Sequence, residues 1–138
     1  MTHGPGDNFD LESSHVLPAL IRKFHESKIN NTSESRAAIK LWGTGKPLRE
    51  FLHVDDLAIV ACNLMEGDCS GLYNVGSGEE ISIKALAEEI AAVVGYDGTI
   101  EWDDTKPDGT PRKLLDSTRV RATGWRPRIR LAEGLPAT

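Results

Sequence analysis

Residues that could bind a flat ring and a phosphate lie close together near the middle of the sequence. Trp42 follows an alternating apolar and polar run, Gly43 and Gly45 allow the chain to turn sharply, and Arg49 comes shortly after. An indole ring offers a flat face, and a guanidinium offers a two-pronged donor for phosphate oxygens. The same pattern also fits a hairpin in which the tryptophan packs in the core and the arginine is solvated. The spacing alone leaves both interpretations open.

A second concentration of positive charge lies in the last third of the chain. Proline and glycine restrict the loop at residues 106–111, and Arg112 and Lys113 follow it directly. Two adjacent cations after a rigid loop could clamp an anion, although composition alone favours a solvated turn. The basic residues of this region are Lys106, Arg112, Lys113, Arg119, Arg121, Arg126, Arg128 and Arg130.

A histidine stands where a helix is predicted to begin. Ser13 or Ser14 can cap this helix, and His15 follows them. Lys23 lies further along, away from the apolar face. A lone histidine beside a helix cap is more often structural or solvated than catalytic. Its position alone therefore assigns His15 to no site.

Composition limits the classes of function. The chain has 138 residues, a net charge of −5 and an isoelectric point near 5.3. This length allows one domain or one lobe of a larger one, and the acidic total argues against binding to nucleic acid or to an anionic membrane. Cys62 and Cys69 lack metal-ligand spacing, and Cys62 is expected to be buried in an apolar helix. The absence of a long apolar run favours a cytoplasmic protein.

Predicted helices and strands follow one another along the chain and position these residues. The best-defined helix is predicted over 83–94, with Ser82 as its cap and Gly95 as its left-handed terminator. A helix near Leu57 is predicted to begin behind Asp55 or Asp56 as its cap. Strands are predicted over 39–42, 51–54, 72–75 and 100–102, further helices after Ser14, over 117–122 and from 131, and a loop over 29–37.

Six motifs occur in an order that resembles the C-terminal part of the GDP-L-fucose synthase family, a branch of the extended short-chain dehydrogenases/reductases. They are GPGDNF (4–9), SHVLPAL (14–20), WGTG (42–45), REFLHVDD (49–56), NVGSG (74–78) and KPDGTPRK (106–113). The fourth and fifth are shared widely among nucleotide-sugar epimerases and dehydratases, whereas the first, second and sixth are narrower. The resemblance implies an α/β substrate-binding lobe of a Rossmann-type fold over residues 1–138, without the N-terminal dinucleotide-binding half.

The resemblance also implies an activity for the parent enzyme. Such enzymes convert GDP-4-keto-6-deoxy-mannose to GDP-L-fucose by two epimerisations followed by hydride transfer from NADPH. Each epimerisation needs a base and an acid, and the resemblance assigns the acid to His15, which also lies near the nicotinamide. The resemblance further implies a homodimeric parent enzyme and no metal. By the same resemblance, the residues that bind the GDP-sugar are Lys23, Trp42, Arg49, Asp108 and Lys113.

Some motifs of such an enzyme are absent from this sequence. The chain contains no Gly-x-Gly-x-x-Gly loop and no Tyr-x-x-x-Lys pair. We therefore predict a fragment of a fucose synthase that has no reductase activity by itself. The alternatives are a stand-alone module that binds a GDP-sugar, an inactive remnant, and the substrate lobe of another nucleotide-sugar epimerase or dehydratase.

Overall fold

Short strands and amphipathic helices alternate along the chain. The computed structural model describes residues 1–30 and 38–138. Its helices are α1 (Val16–Asn30), α2 (Val54–Glu66), α3 (Ile83–Val94), α4 (Thr118–Ala122) and α5 (Leu131–Gly134), and α5 leads into a short 3-10 helix at Leu135–Ala137. Its strands are β1 (Thr2–His3), β2 (Ile39–Trp42), β3 (Leu48–Glu50), β4 (Leu52–His53), β5 (Glu80–Ser82), β6 (Ile100–Asp103) and β7 (Arg112–Lys113).

The main hydrophobic core lies between α1 and α3. Helical spacing places Leu17 and Phe24 on one face of α1 and Leu86 and Ile90 on one face of α3, where all four are fully buried. The ring of Phe24 meets Tyr96 edge-on, with 5.3 Å between the ring centroids. Burial of each such side chain stabilises the fold by roughly 1.5–3 kcal/mol. The buried contacts between α1 and α3 therefore stabilise the strands that pack against this helix pair.

Helix α3 has the ends that its sequence predicts. The Ser82 side chain accepts a hydrogen bond from the Ala85 backbone N–H at 3.1 Å, which satisfies one of the free donors of the first turn. Gly95 closes the helix with φ of 72°, a left-handed conformation that glycine adopts without steric strain. Both predicted end residues are confirmed.

Strand β2 divides its residues between core and solvent. Ile39 and Leu41 are buried, whereas Lys40 and Trp42 are exposed, as strand alternation requires. The strand pairs in parallel with β6 along its whole length. The two strands predicted here are confirmed, and Trp42 lies at the surface where β2 ends.

A three-stranded sheet carries the cations that the sequence singled out. Its order is β5-β3-β7, with β3 antiparallel to β5 and parallel to β7. Arg49 of β3 lies opposite Ile81 of β5 on one side and Lys113 of β7 on the other. Strand β7 was not predicted, because two basic residues after a proline-rich loop carry no strand pattern. A separate parallel pair joins β1 to β4.

The helix after the central motif begins earlier than predicted. Its N-cap is His53, whose Nδ1 accepts the Asp55 N–H at 3.3 Å, so the predicted aspartate cap is wrong. Asp56 is instead buried, and its Oδ2 accepts the backbone N–H groups of Arg128 and Ile129, both at 2.9 Å. The early start shortens the strand predicted before the helix to the 2 residues of β4.

Helix α1 differs from its prediction at both ends. It begins directly after His15, so neither Ser13 nor Ser14 caps it, and the Ser13 hydroxyl donates to Asp10 Oδ1 at 2.9 Å. The helix continues to Asn30, into the loop predicted over 29–37. The remainder of that predicted loop lies outside the described residues.

Two further expectations are wrong. Residues 72–75 form no strand, and the Arg119 guanidinium donates to the backbone carbonyls of Ser70 and Leu72, at 2.5 and 2.8 Å. Cys62 is exposed rather than buried, since it faces away from the core side of α2.

Candidate functional site

Trp42 presents its ring to solvent at the end of β2. The residue is 71% exposed, so the interpretation that packs it in the core is wrong. Gly43 follows with φ of +83°, which turns the chain sharply away from the strand. The Lys106 ammonium lies over the indole, 5.7 Å from the ring centroid. An open aromatic face beside a cation suits a planar or sugar ring joined to an anionic group.

Asp108 ties the loop at residues 106–111 to this glycine turn. Its Oδ1 accepts the Thr44 backbone N–H at 2.5 Å, and its Oδ2 accepts the Thr44 hydroxyl at 2.7 Å. These two hydrogen bonds hold the pKa of Asp108 below its usual value. A Cβ on Gly43 would collide with the carboxylate, which explains why glycine fits there. The structure thus gives Asp108 a positioning role, and ligand contact by this residue stays a prediction.

Arg49 and Lys113 form a pair of neighbouring cations. They lie directly opposite each other in the parallel pairing of β3 and β7, so their side chains leave the same face of the sheet. The Arg49 guanidinium donates to the Leu48 carbonyl at 2.7 Å, and neither cation forms a salt bridge with a carboxylate in the described ranges 1–30 and 38–138. Like charges directly opposite each other destabilise a sheet, and an anion bound between them would relieve that repulsion.

Arg112 does not belong to this pair, although the sequence placed it beside Lys113 in one clamp. Successive strand residues point to opposite faces, and Arg112 therefore lies on the other side of the sheet. There its guanidinium holds Glu80 with two hydrogen bonds of 2.6 Å. The predicted cation pair of Arg112 and Lys113 is wrong, and the cation next to Lys113 is Arg49.

One loop connects the aromatic face with the cation pair. Asp108 is bonded to Thr44 at one end of the loop, and the Pro111 carbonyl accepts the Leu48 N–H at 2.8 Å at the other. The same loop supplies Lys106 above the indole and runs into β7. This loop therefore links four of the predicted ligand residues, which come from two distant stretches of the sequence: Trp42 and Arg49 in one, Asp108 and Lys113 in the other.

His15 and Lys23 lie apart from this loop, on and just before α1. His15 is exposed directly before the first helical residue, and Lys23 is half-buried within the helix. Neither side chain makes a hydrogen bond or ion pair with another residue in the described part of the chain. Their predicted roles are compatible with free side chains and stay predictions.

Sequence reasoning missed Glu50, which is buried beside the site. Its Oε1 accepts the Gly78 N–H at 2.5 Å, and its Oε2 accepts the Leu115 N–H at 3.2 Å. A Cβ on Gly76 would lie 2.5 Å from both carboxylate oxygens, so the glycine-rich turn closes tightly over this side chain. The available signal in the sequence was the position of the Glu50 carboxylate between Arg49, which could bind a phosphate, and Phe51, a residue type that is common in cores.

Two other kinds of site were tested against the described residues. Among them, no group of three or more histidine, cysteine, aspartate or glutamate side chains is placed to hold a metal ion. No helix in residues 1–30 or 38–138 combines the length and apolarity needed to cross a membrane.

Comparison with known families decides where this arrangement belongs. A sequence model of the NAD dependent epimerase/dehydratase family matches residues 2–76, a range that includes Trp42, Arg49 and Glu50. The chain belongs to this family. Within the family, it is 56% identical over 138 residues to a probable GDP-L-fucose synthase 1 of Oryza sativa subsp. japonica. It is 45% identical over 146 residues to the GDP-L-fucose synthase of Escherichia coli (strain K12). The resemblance drawn from the motifs is confirmed.

The fold of this epimerase/dehydratase chain is also that of solved relatives. A crystal structure of a GDP-L-fucose synthetase from Naegleria fowleri matches 99% of the chain with a TM-score of 0.85 at 27% identity. The same protein has been solved bound to NADP. The predicted fold class, an α/β lobe of a Rossmann-type extended short-chain dehydrogenase/reductase, is confirmed.

The chain aligns with only part of the length of each of these relatives. The alignment covers 99% of this chain but 40% of the rice protein and 44% of the Escherichia coli protein. It covers 41% of the Naegleria fowleri chain. The chain therefore spans less than half the length of the relatives that it matches.

Proposed function

We propose that this chain is the GDP-sugar-binding part of a GDP-L-fucose synthase. The observation that carries the proposal is the adjacent cation pair of Arg49 and Lys113, which the loop at 106–111 connects to the turn directly after the exposed Trp42. Relatives at 56% and 45% identity carry the name GDP-L-fucose synthase. In this proposal the parent enzyme converts GDP-4-keto-6-deoxy-mannose to GDP-L-fucose.

The diphosphate is proposed to bind between the two cations. The Arg49 guanidinium offers two parallel N–H donors, and the Lys113 ammonium adds a point charge that is free to follow the phosphate oxygens. Trp42 supplies the flat face for a ring of the ligand, and Lys106 above the indole adds further positive charge. Lys23 is proposed as a more distant cation. Asp108 holds the turn that follows Trp42.

His15 is proposed as the acid of the epimerisation steps. Removal of a proton beside the ketone leaves an enolate, and an acid must return a proton to the opposite face of the carbon. Histidine is the side chain that most often serves as a general acid, and the exposed ring of His15 is engaged by no other described side chain. The assignment rests on the match of residues 14–20 to the family motif.

The reduction step lies outside what these residues can support. NADPH supplies a hydride when it is bound by the parent enzyme, as NADP is bound in the Naegleria fowleri structure. The Gly76–Gly78 turn, which precedes α3, does not fit a dinucleotide, because Glu50 takes the Gly78 N–H and Arg121 fills the space beside it. We therefore assign no part of the hydride transfer to these residues, and we predict that the chain binds the sugar nucleotide without reducing it. A cytoplasmic location and a homodimeric parent enzyme are also kept as predictions.

Calorimetry with GDP and guanosine tests the proposal. GDP should bind more tightly than guanosine, because only GDP carries the diphosphate. Arg49→Ala should weaken GDP binding by about 1.5–3 kcal/mol, the usual worth of a hydrogen bond to a charged group, and should leave guanosine binding nearly unchanged. Arg128→Ala, which removes the same charge from an exposed arginine outside the cation pair, is the control and should bind GDP like the wild type. Equal affinity of the wild type for GDP and guanosine would contradict the proposed site.

A further inference from the structure

Glu50 links the two outer strands of the sheet on which the cation pair lies. The residue is 3% exposed and points to the face opposite Arg49. One carboxylate oxygen accepts the Gly78 N–H, just before β5, and the other accepts the Leu115 N–H, just after β7. A side chain of the central strand therefore fixes the segments that lead into one outer strand and out of the other.

Different contacts hold the two ends of β7. Arg112 bonds to Glu80, and the Leu48 N–H bonds to the Pro111 carbonyl, at its start, whereas the Leu115 N–H bonds to Glu50 just after its end, beside Lys113. The pairing of β7 with β3 consists of Leu48 with Arg112 and Arg49 with Lys113. Repulsion between Arg49 and Lys113 acts to separate the strands when no anion is bound. The hydrogen bond from Leu115 to Glu50 acts against that separation, directly behind the cation pair.

We infer that Glu50 is the positioning residue that sets the spacing of Arg49 and Lys113 for the two phosphate groups of the ligand. The inference rests on the proposed function, since it concerns the same site. Glu50 does not touch the ligand in this arrangement. It holds the two cations at the separation at which each can reach a different phosphate group.

The direction in which anion affinity changes when Glu50 is neutralised distinguishes a positioning role from a purely electrostatic one. A carboxylate behind a cation pair lowers the positive potential that an anion meets, so neutralising it should by itself strengthen anion binding. Loss of positioning should instead weaken binding of the second phosphate. Glu50→Gln distinguishes the two, because glutamine keeps the shape but has one acceptor oxygen, and its NH2 group would face the second backbone N–H.

The experiment measures the dissociation constants of GMP and GDP by calorimetry for the 138-residue chain and its variants. Their ratio reports what the second phosphate adds. In the wild type GDP should bind more tightly than GMP, and in Glu50→Gln the ratio should fall roughly tenfold, as expected for misplacement of one charge-assisted contact. Glu79→Gln removes a neighbouring exposed carboxylate and should keep the wild-type ratio.

A second variant keeps the test decisive if Glu50→Gln folds poorly. Glu50→Asp retains the charge but is one methylene too short to reach both N–H groups, so its ratio should fall as well. An unchanged or increased ratio in folded Glu50→Gln, a wild-type ratio in Glu50→Asp, or an equal loss of GMP and GDP affinity would overturn the inference. Failure of the proposed function is recognised separately, because the wild type itself would then bind GDP no better than guanosine.

Discussion

His3 is a buried base whose protonation should oppose folding. It is 2% exposed and meets the ring of His53 edge-on at 5.3 Å, while its Nδ1 lies 3.1 Å from the Thr138 hydroxyl. Its Nε2 is buried without a hydrogen-bond partner among the described residues. Burial, followed by the neighbouring His53 and with a smaller contribution from the N-terminal ammonium, lowers the pKa of His3 to about 4, although Asp7 acts in the opposite direction.

The direction of the pH effect follows from this lowered pKa. Between the ordinary pKa of 6.5 and the folded-state pKa of about 4, the unfolded chain binds a proton that the folded chain does not. The stability due to neutral His3 is therefore fully present above pH 6.5 and is lost as the pH falls toward 4. Linkage gives an upper value of about 2 kcal/mol lost between pH 7 and pH 5. Since this is an upper value, we expect a loss of roughly 1–2 kcal/mol.

Urea unfolding at pH 7 and pH 5 measures this loss in the wild type and in His3→Asn. Asparagine cannot titrate, so the wild type should lose roughly 1–2 kcal/mol more than the variant between the two pH values. Any penalty from the smaller side chain occurs at both pH values and cancels in the comparison. His25→Asn, an exposed histidine on α1, serves as the control and should follow the wild type. The same pH dependence in wild type and His3→Asn would refute the reasoning.

Two smaller predictions concern residues that shape the helices and turns. Ser82→Ala should lower the free energy of unfolding by about 1 kcal/mol in urea denaturation, because the Ala85 N–H loses its cap, whereas the exposed Ser70→Ala should not. Asp108→Asn should be less stable than the wild type at pH 7, since asparagine cannot accept both Thr44 hydrogen bonds. Because the pKa of Asp108 is lowered in the folded state, this advantage exists above its usual pKa and is lost as the pH falls through the lowered value. A stability difference that persists at pH values well below that point would contradict this account.

Local sequence signals were sufficient where one element decides its own structure. Helix α3 carries its cap and its terminating glycine within one segment, and both are found as predicted. The strand alternation of residues 39–42 likewise placed Ile39 and Leu41 inside. Trp42 belongs to the same alternating run, so its exposure could have been inferred from that pattern.

The parts that could not be predicted depend on contacts between distant segments. The strand predicted over 72–75 does not form although its composition suits one, and the Leu72 carbonyl is instead bonded by Arg119 from a distant part of the sequence. Lys113 lies opposite Arg49, which is 64 residues earlier in the sequence, and only the register of β3 with β7 reveals this pairing. No local pattern indicated that Arg112 would turn to Glu80 on the other face.

The register of β3 decides whether an anion site exists at all. Arg49 meets Lys113 on one face, Glu50 holds its two backbone N–H groups on the other, and Phe51 packs in the main core with α1 and α3. A slip of one residue would move every side chain to the opposite face, so that Glu50 would lie beside Lys113. The cation pair would then become an ion pair with no remaining affinity for phosphate. Because the buried Glu50 carboxylate can reach Gly78 and Leu115 in one register, the residue that fixes the spacing of the cations also excludes the arrangement in which they would be neutralised.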